Sequence, residues 1–178
     1  MKKKTLAIAL AVVLVLCCAV GGTLAWLSDK TGPVTNTFTA GDISIDLTET
    51  TNNYKMVPGN TIAKDPTVTV NANSEACWLF VKVEKTNTPD NYLTYTIDSG
   101  WTALTGVDGV YYREVAASTT DQSFAVLTDN QVVVKNSVTK TMLETAKTSA
   151  PTLTFTAYAV QKDNVANAAE AWNVAETL

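Results

Sequence analysis

The sequence predicts an all-β protein, a sandwich or barrel of short antiparallel strands. Three observations point there. Threonine occupies 29 of the 178 positions and valine 21, and both β-branched side chains fit a pleated surface better than a helix. Apolar and polar residues alternate with a period of two in several stretches. Turn residues interrupt those stretches at intervals of roughly 10–15 residues, a spacing that suits sandwiches and barrels.

Along the chain, GDISIDL turns Ile43, Ile45 and Leu47 to one face and Asp42, Ser44 and Asp46 to the other. DPTVTVNA puts Val68 and Val70 on a shared face. ACWLFVKVEK sets Cys77, Leu79, Val81 and Val83 in one row and Trp78, Phe80 and Lys82 in the opposite row. That strand is expected to be central and covered on much of both faces. TLTFTAYAVQ alternates Leu153, Phe155, Ala157 and Ala159 against Thr154, Thr156, Tyr158 and Val160. Weaker strand signals lie at 92–97, 110–114, 122–127 and 131–135. VPGN at 57–60, TPDN at 88–91, DSGW at 98–101 and VDGV at 107–110 carry turn residues, and the last reads as a hairpin turn. Two helical pieces interrupt the pattern. SVTKTMLETAK, 137–147, follows a cap at Ser137 and spaces Val138, Met142 and Leu143 helically. VANAAEAWNVA, 165–175, places Val165, Ala168, Ala169 and Trp172 on one stripe. Both helices are expected to plug the ends of the sandwich, with Trp172 in the core.

The first 25 residues follow another pattern. Lys2, Lys3 and Lys4 precede an uncharged apolar block from Leu6 to Val20, and small residues stand at Thr23 and Ala25 before Trp26. This order is that of a secretory signal cut after Ala25. The alternative is an uncleaved anchor with Trp26 at the interface. The apolar block alone is about 22 Å long as a helix, short of the roughly 30 Å hydrocarbon core, although extension to Leu27 reaches about 33 Å. Gly21 and Gly22 weaken such a helix. The expected organisation is a signal peptide at 1–25, an N-terminal arm at 26–36 and a β-sandwich domain at 37–178. Cleavage leaves 153 residues with ten basic against seventeen acidic side chains, a balance of −7. One domain with a sizeable core is expected, and nucleic acid is not an expected partner. Cys77 is the one cysteine beyond the signal, so no intramolecular disulfide forms there. It reads as a small buried hydrophobe, or as a reactive thiol or the site of an intermolecular disulfide.

The sequence has no histidine. The common Ser-His-Asp and Cys-His arrangements and HExxH zinc chemistry are therefore missing. No catalytic residue, metal site or cofactor is assigned. Asp42 and Asp46 share a strand face but lie about 13 Å apart, which suits a solvated face better than paired acid–base work. Asp129-Asn130 and Asp163-Asn164 lack a calcium-loop pattern and read as turns. Trp101, Tyr111 and Tyr112 lie near turns and are the candidates for stacking on a glycan, weighed against packing at the sandwich rim.

The stretch GTLAWLSDKTGPVTNTFTAGDISIDL resembles the N-terminus of TasA and camelysin-type proteins of Gram-positive bacteria. Asn36, Phe38, Gly41, Ile43 and Ile45 fill the pattern N-x-F-x-x-G-x-[IL]-x-[IL]. VPGNTIAKDPTVTVNANSEACWLFVKVE and TFTAYAVQKDNVANAAEAWN are similar to the family's proline-glycine loop, strand pair, closing strand and helix. The resemblance implies a jelly-roll-like sandwich, secreted to the extracellular matrix or cell surface and assembled into biofilm-matrix fibres. It implies an ER-type signal peptidase as the partner during export, with matrix polysaccharide or accessory matrix proteins as further partners. Some relatives are described as metallopeptidases; a chain without histidine gives no ground for carrying that activity over. Signal removal frees the arm WLSDKTGPVTN, with Trp26, Leu27 and Val34 as its apolar residues, to add as a strand to the open sheet edge of a neighbour. A head-to-tail contact of this kind propagates as a filament. Pro33 lacks a donor and must face away from the ladder or mark a hinge. Two other readings are a monomeric secreted or surface adhesion module that binds glycan, and an arm that stays disordered.

Overall fold

The computed structural model describes residues 41–51 and 54–178. Among them are strands β1 (Ile45–Thr48), β2 (Thr61–Ala63), β3 (Thr67–Val70), β4 (Cys77–Thr86) and β5 (Leu93–Thr94). There follow β6 (Thr102–Ala103), β7 (Val110–Val115), β8 (Gln122–Ala125), β9 (Gln131–Val134) and β10 (Thr152–Gln161). Helix α1 (Lys140–Thr148) lies between β9 and β10, and α2 (Ala168–Ala175) follows β10. The pairings are antiparallel, in sheets ordered β10-β4-β7-β6, β1-β3-β8 and β2-β9-β5. The expected all-β sandwich is therefore observed.

Two chain segments, 61–70 and 122–134, run through both three-stranded sheets. Lys64 N donates to Asn130 O at 2.8 Å and Val126 N to Pro66 O at 2.9 Å, tying the segments across the junction. The two sheets thus form one bent layer facing the four-stranded sheet. The bend falls where Pro66 withholds a donor and where Asp129 and Asn130 take φ of 56° and 52°. These left-handed residues are turn chemistry, as the sequence suggests for Asp129-Asn130.

The core follows from the alternation. Val68 and Val70 of β3 pack on Leu79 and Val81 of β4 and Val115 of β7. The opposite row of β4, Trp78 and Phe80, is covered by α2. The Trp172 ring lies 5.3 Å from Phe80 and 5.3 Å from Tyr158. The buried stripe of α2 is Ala168, Ala171, Trp172 and Ala175. This corrects the expected stripe: Ala169 is exposed, because Ala168, Ala171, Trp172 and Ala175 are three and four residues apart and share one face. A third cluster, Tyr92, Val134, Val138 and Ala146, lies beneath α1. The cap of α1 is Thr139, not Ser137: its Oγ1 accepts from Met142 N at 3.3 Å. In α2, Asn167 Oδ1 accepts from Glu170 N at 3.0 Å while the Glu170 carboxylate accepts from Ala166 N at 3.2 Å, close to a capping box.

The β6–β7 hairpin closes as VDGV predicts. Gly109 holds φ at 73°, and a Cβ there would stand 2.6 Å from Val83 O. Gly106 has φ of 84° with no atom within 4 Å of its Cβ position. Gly109→Ala is expected to cost about 1–3 kcal/mol from backbone strain and the clash with Val83. Gly106→Ala should pay only the strain, so calorimetry on the pair separates the two contributions. Cys77 is fully buried, and burial pushes its thiol from 9.0 up to about 11. It should resist a thiol reagent at pH 8 until denaturant is added. Between pH 9.0 and about 11 the unfolded thiol ionises while the folded one stays protonated, so this residue should subtract stability as pH rises through that window.

Candidate functional site

The two long strands lie side by side, but among the described residues only one is paired on both edges. β10 bonds to β4 over its whole length, from Thr152 opposite Thr86 to Gln161 opposite Cys77. Lys162 N donates to Ala76 O at 2.9 Å. By antiparallel alternation the even residues of β10 therefore bond to β4. The N–H and C=O groups of Leu153, Phe155, Ala157, Ala159 and Gln161 point the other way. No strand among the described residues pairs with that side. β10 is ten residues long and carries no charge, proline or glycine, so none of the usual devices that blunt an edge is present within it.

β1 runs alongside this edge without a ladder to it. Asn71 N donates to Ser44 O at 2.9 Å, so the even residues of β1 face β3 and the backbone groups of Ile45 and Leu47 face outward. Ile45, Phe155, Ala157 and Ala159 all pack into the same cluster. A groove of about 320 Å³ runs between the strands, lined by Leu47, Thr48 and Glu49 on one side and Leu153, Thr154 and Phe155 on the other. Two strand edges without a strand partner among the described residues thus border one cleft.

A charge pair with a buried lysine and a half-buried glutamate sits by Phe155. Lys64, 7% exposed, donates to Glu49 Oε1 at 2.7 Å. Its Nζ lies 5.0 Å from the Tyr54 ring centroid and 5.2 Å from that of Phe155. Tyr54 OH also donates to Glu49 Oε1, at 2.7 Å. Burial first, and the Glu49 carboxylate second, push the Tyr54 hydroxyl well above its usual range. Thr50 N and Oγ1 donate to Asp65, and these bonds hold the Asp65 carboxyl below its usual range. Together they fasten Glu49, Thr50 and Tyr54 to the β2–β3 connection beside β10.

The sequence candidates are distributed as follows. Thr23, Ala25, Trp26, Leu27, Val34, Asn36 and Phe38 lie outside the described residues, as does the expected signal helix. Gly41 packs against Glu75 and Gln161, the end of β10, and its Cβ position is 3.0 Å from Glu75 Cγ. Ile43 and Ile45 pack on the inter-sheet core. Asp46 accepts from Asn71 Nδ2 at 2.9 Å. Trp101 is buried and donates its indole N–H to Ala125 O at 2.8 Å. Tyr112 packs on Trp78 and Phe80 at 5.9 and 6.4 Å. Trp101 and Tyr111 line one groove, from which Tyr112 is absent. The open side of β10 is not among the sequence candidates, because alternation marks a strand without showing whether it has neighbours.

Arg113 is the chain's one arginine. Its guanidinium lies 3.7 Å from the Phe124 ring centroid and 5.5 Å from that of Trp101, and its buried Nε has no hydrogen-bond partner. Burial pulls its pKa below the usual value. Removing an unsatisfied buried donor while keeping the hydrocarbon contact relieves that penalty. Arg113→Met is expected to raise the melting temperature by about 1–3 °C, read by circular dichroism.

The family model described as Camelysin metallo-endopeptidase matches residues 1–86, just under half of the chain. No curated protein and no solved structure matches. The family's description implies a catalytic metal, so the donor set is the test. The chain has no histidine. Among the described residues Cys77 is buried, and no group of three or more His, Cys, Asp or Glu could hold an ion. These residues do not fit a peptidase metal, which calls for three protein ligands and an open position. No step is assigned to one. The model that matches residues 1–86, the N-terminal junction and first strands, is that of the camelysin family, the family that includes TasA.

Proposed function

We propose that this protein is a secreted structural subunit of extracellular biofilm-matrix fibres, assembling by strand addition at β10. The carrying observation is the uncharged ten-residue strand whose outer backbone groups have no strand partner among the described residues. The match of residues 1–86 to the camelysin family model fits a secreted matrix protein.

The mechanism rests on the outer edge of β10. An extended segment lying along it meets the outward N–H and C=O groups of the odd residues of β10. Ladder bonds on that edge exclude water from the groups they join. The proposed donor is the arm 26–36 of the next copy, released by cleavage after Ala25. Eleven extended residues span about 36 Å against about 33 Å for the ten of β10, so one arm fits the acceptor. Each subunit then carries one donor and one acceptor, the head-to-tail contact that builds a filament. While the signal is attached the arm stays tethered and elongation is suppressed.

Negative-stain electron microscopy of residues 26–178 and 37–178 tests this reading. The longer form is expected to make filaments and the shorter to remain as single particles; filaments of equal length from both would refute arm donation. Ala157→Pro tests the acceptor separately. The Ala157 N–H points away from β4, so proline there spares the β4 ladder and removes one outward donor. Thr154→Lys adds charge to the edge while keeping every ladder bond. Both variants are expected to stay folded and to lose elongation at least about tenfold. Wild-type elongation in folded variants would exclude β10 as the acceptor.

A further inference from the structure

The opposite flank of the sandwich carries a second, chemically different groove, of about 580 Å³. It opens where the chain leaves one layer for the other. Residues 92–98 belong to the bent layer: Lys135 N donates to Tyr92 O at 2.8 Å, Thr128 N to Thr96 O at 2.9 Å and Asp98 N to Val126 O at 2.9 Å. The turn at Asp98–Trp101 then delivers β6 to the four-stranded sheet, with Trp101 N donating to Asp98 O at 3.0 Å. The two arms of this turn diverge. Alternation leaves the backbone groups of Leu93 and Tyr95 facing the gap from one side and those of Ala103 from the other.

The walls combine aromatic rings with cations. Tyr95, Tyr111 and the edge of Trp101 share them with Lys85, Lys135 and Asp90. Lys85 Nζ is 2.9 Å from Asp90 Oδ2 and 5.5 Å from the Tyr95 ring centroid. Lys135 Nζ donates to the Asp90 backbone carbonyl. Two ammonium groups thus stand at Asp90, Lys85 on its carboxylate and Lys135 on its backbone carbonyl, in a chain whose net charge is −4.

We propose that this groove binds an acidic polysaccharide, a glycan bearing spaced carboxylates. A sugar ring offers an apolar C–H face to Tyr95 and Tyr111 and a dense rim of hydroxyls to the unpaired backbone groups. A uronate carboxylate meets Lys85 and Lys135 as a charge-assisted acceptor. A peptide strand suits the groove poorly, because the exposed backbone groups are few and belong to two different layers. A dense polyphosphate is repelled by the rest of the acidic surface, whereas a short uronate segment engages the cations within a screening length of roughly 8–10 Å.

The test uses the full chain in mild detergent, titrated with tetragalacturonate, with maltotetraose of equal length and with tetraglutamate, followed by the ring resonances of its tyrosines. Saturable tetragalacturonate binding that shifts Tyr95 and Tyr111 is expected, with maltotetraose at least about tenfold weaker. Lys135→Gln, Lys85→Gln and Tyr95→Ala should each weaken it about tenfold, with melting curves run alongside to confirm folding. Because the resonance map is read on the unaltered protein, it stands even where a variant fails to fold. Absence of saturable binding, shifts confined to other tyrosines, or tetraglutamate binding as tightly as tetragalacturonate would overturn the assignment.

Discussion

The ladder between β4 and β10 is the contact on which the other features rest. Ten residues of each strand pair without a break, and β7 holds β4 from its other side. β4 therefore has both edges satisfied and both faces covered, by the inter-sheet core and by α2. Among the described residues, β10 receives the same rigid support along one edge only. Its strand geometry is fixed by β4, so its outward amides are already aligned for a partner. Alignment before contact lowers the ordering entropy that an incoming segment would otherwise face.

The two grooves divide the molecule by chemistry. On the β10 flank, strand edges run parallel to a nearly uncharged cleft, closed at one end by Lys64 and Glu49 in contact with aromatic rings. On the β6 flank, the edges diverge and lysines replace threonines. The Lys64–Glu49 pair fixes position as well as charge: removing Glu49 leaves the buried Lys64 ammonium unpaired, so Glu49 and Tyr54 are held in one place beside the cleft. Arg113 shows the opposite case, a cation packed on rings with one nitrogen left unsatisfied.

Much of the architecture is legible in the sequence. β1, β3, β4 and β10 appear where alternation places them, because several residues of alternating polarity constrain a strand strongly. β2 and β6 leave no such trace: two or three residues carry too little pattern, and their extended conformation is imposed by the register of β9 and β7. The stripe of α2 differs from the expected one at Ala169, since alanine is indifferent to exposure and only the position of Trp172 decides which alanines turn inward. The candidate sites are less legible. Trp101 sits beside a turn, as an exposed aromatic would, yet its indole N–H finds Ala125 O and the ring is buried. The open flank of β10 depends on which strands are neighbours, a property of topology that local pattern does not contain.

The placement of Cys77 bears on the durability of anything this domain builds. Its sulfur is sealed inside the inter-sheet core, out of reach of a thiol on an adjacent molecule. Cohesion between folded domains then owes nothing to sulfur bridges, and a matrix made from them would keep its strength whether the surroundings were aerated or strongly reducing. Its weakness would lie with agents that compete for amide contacts.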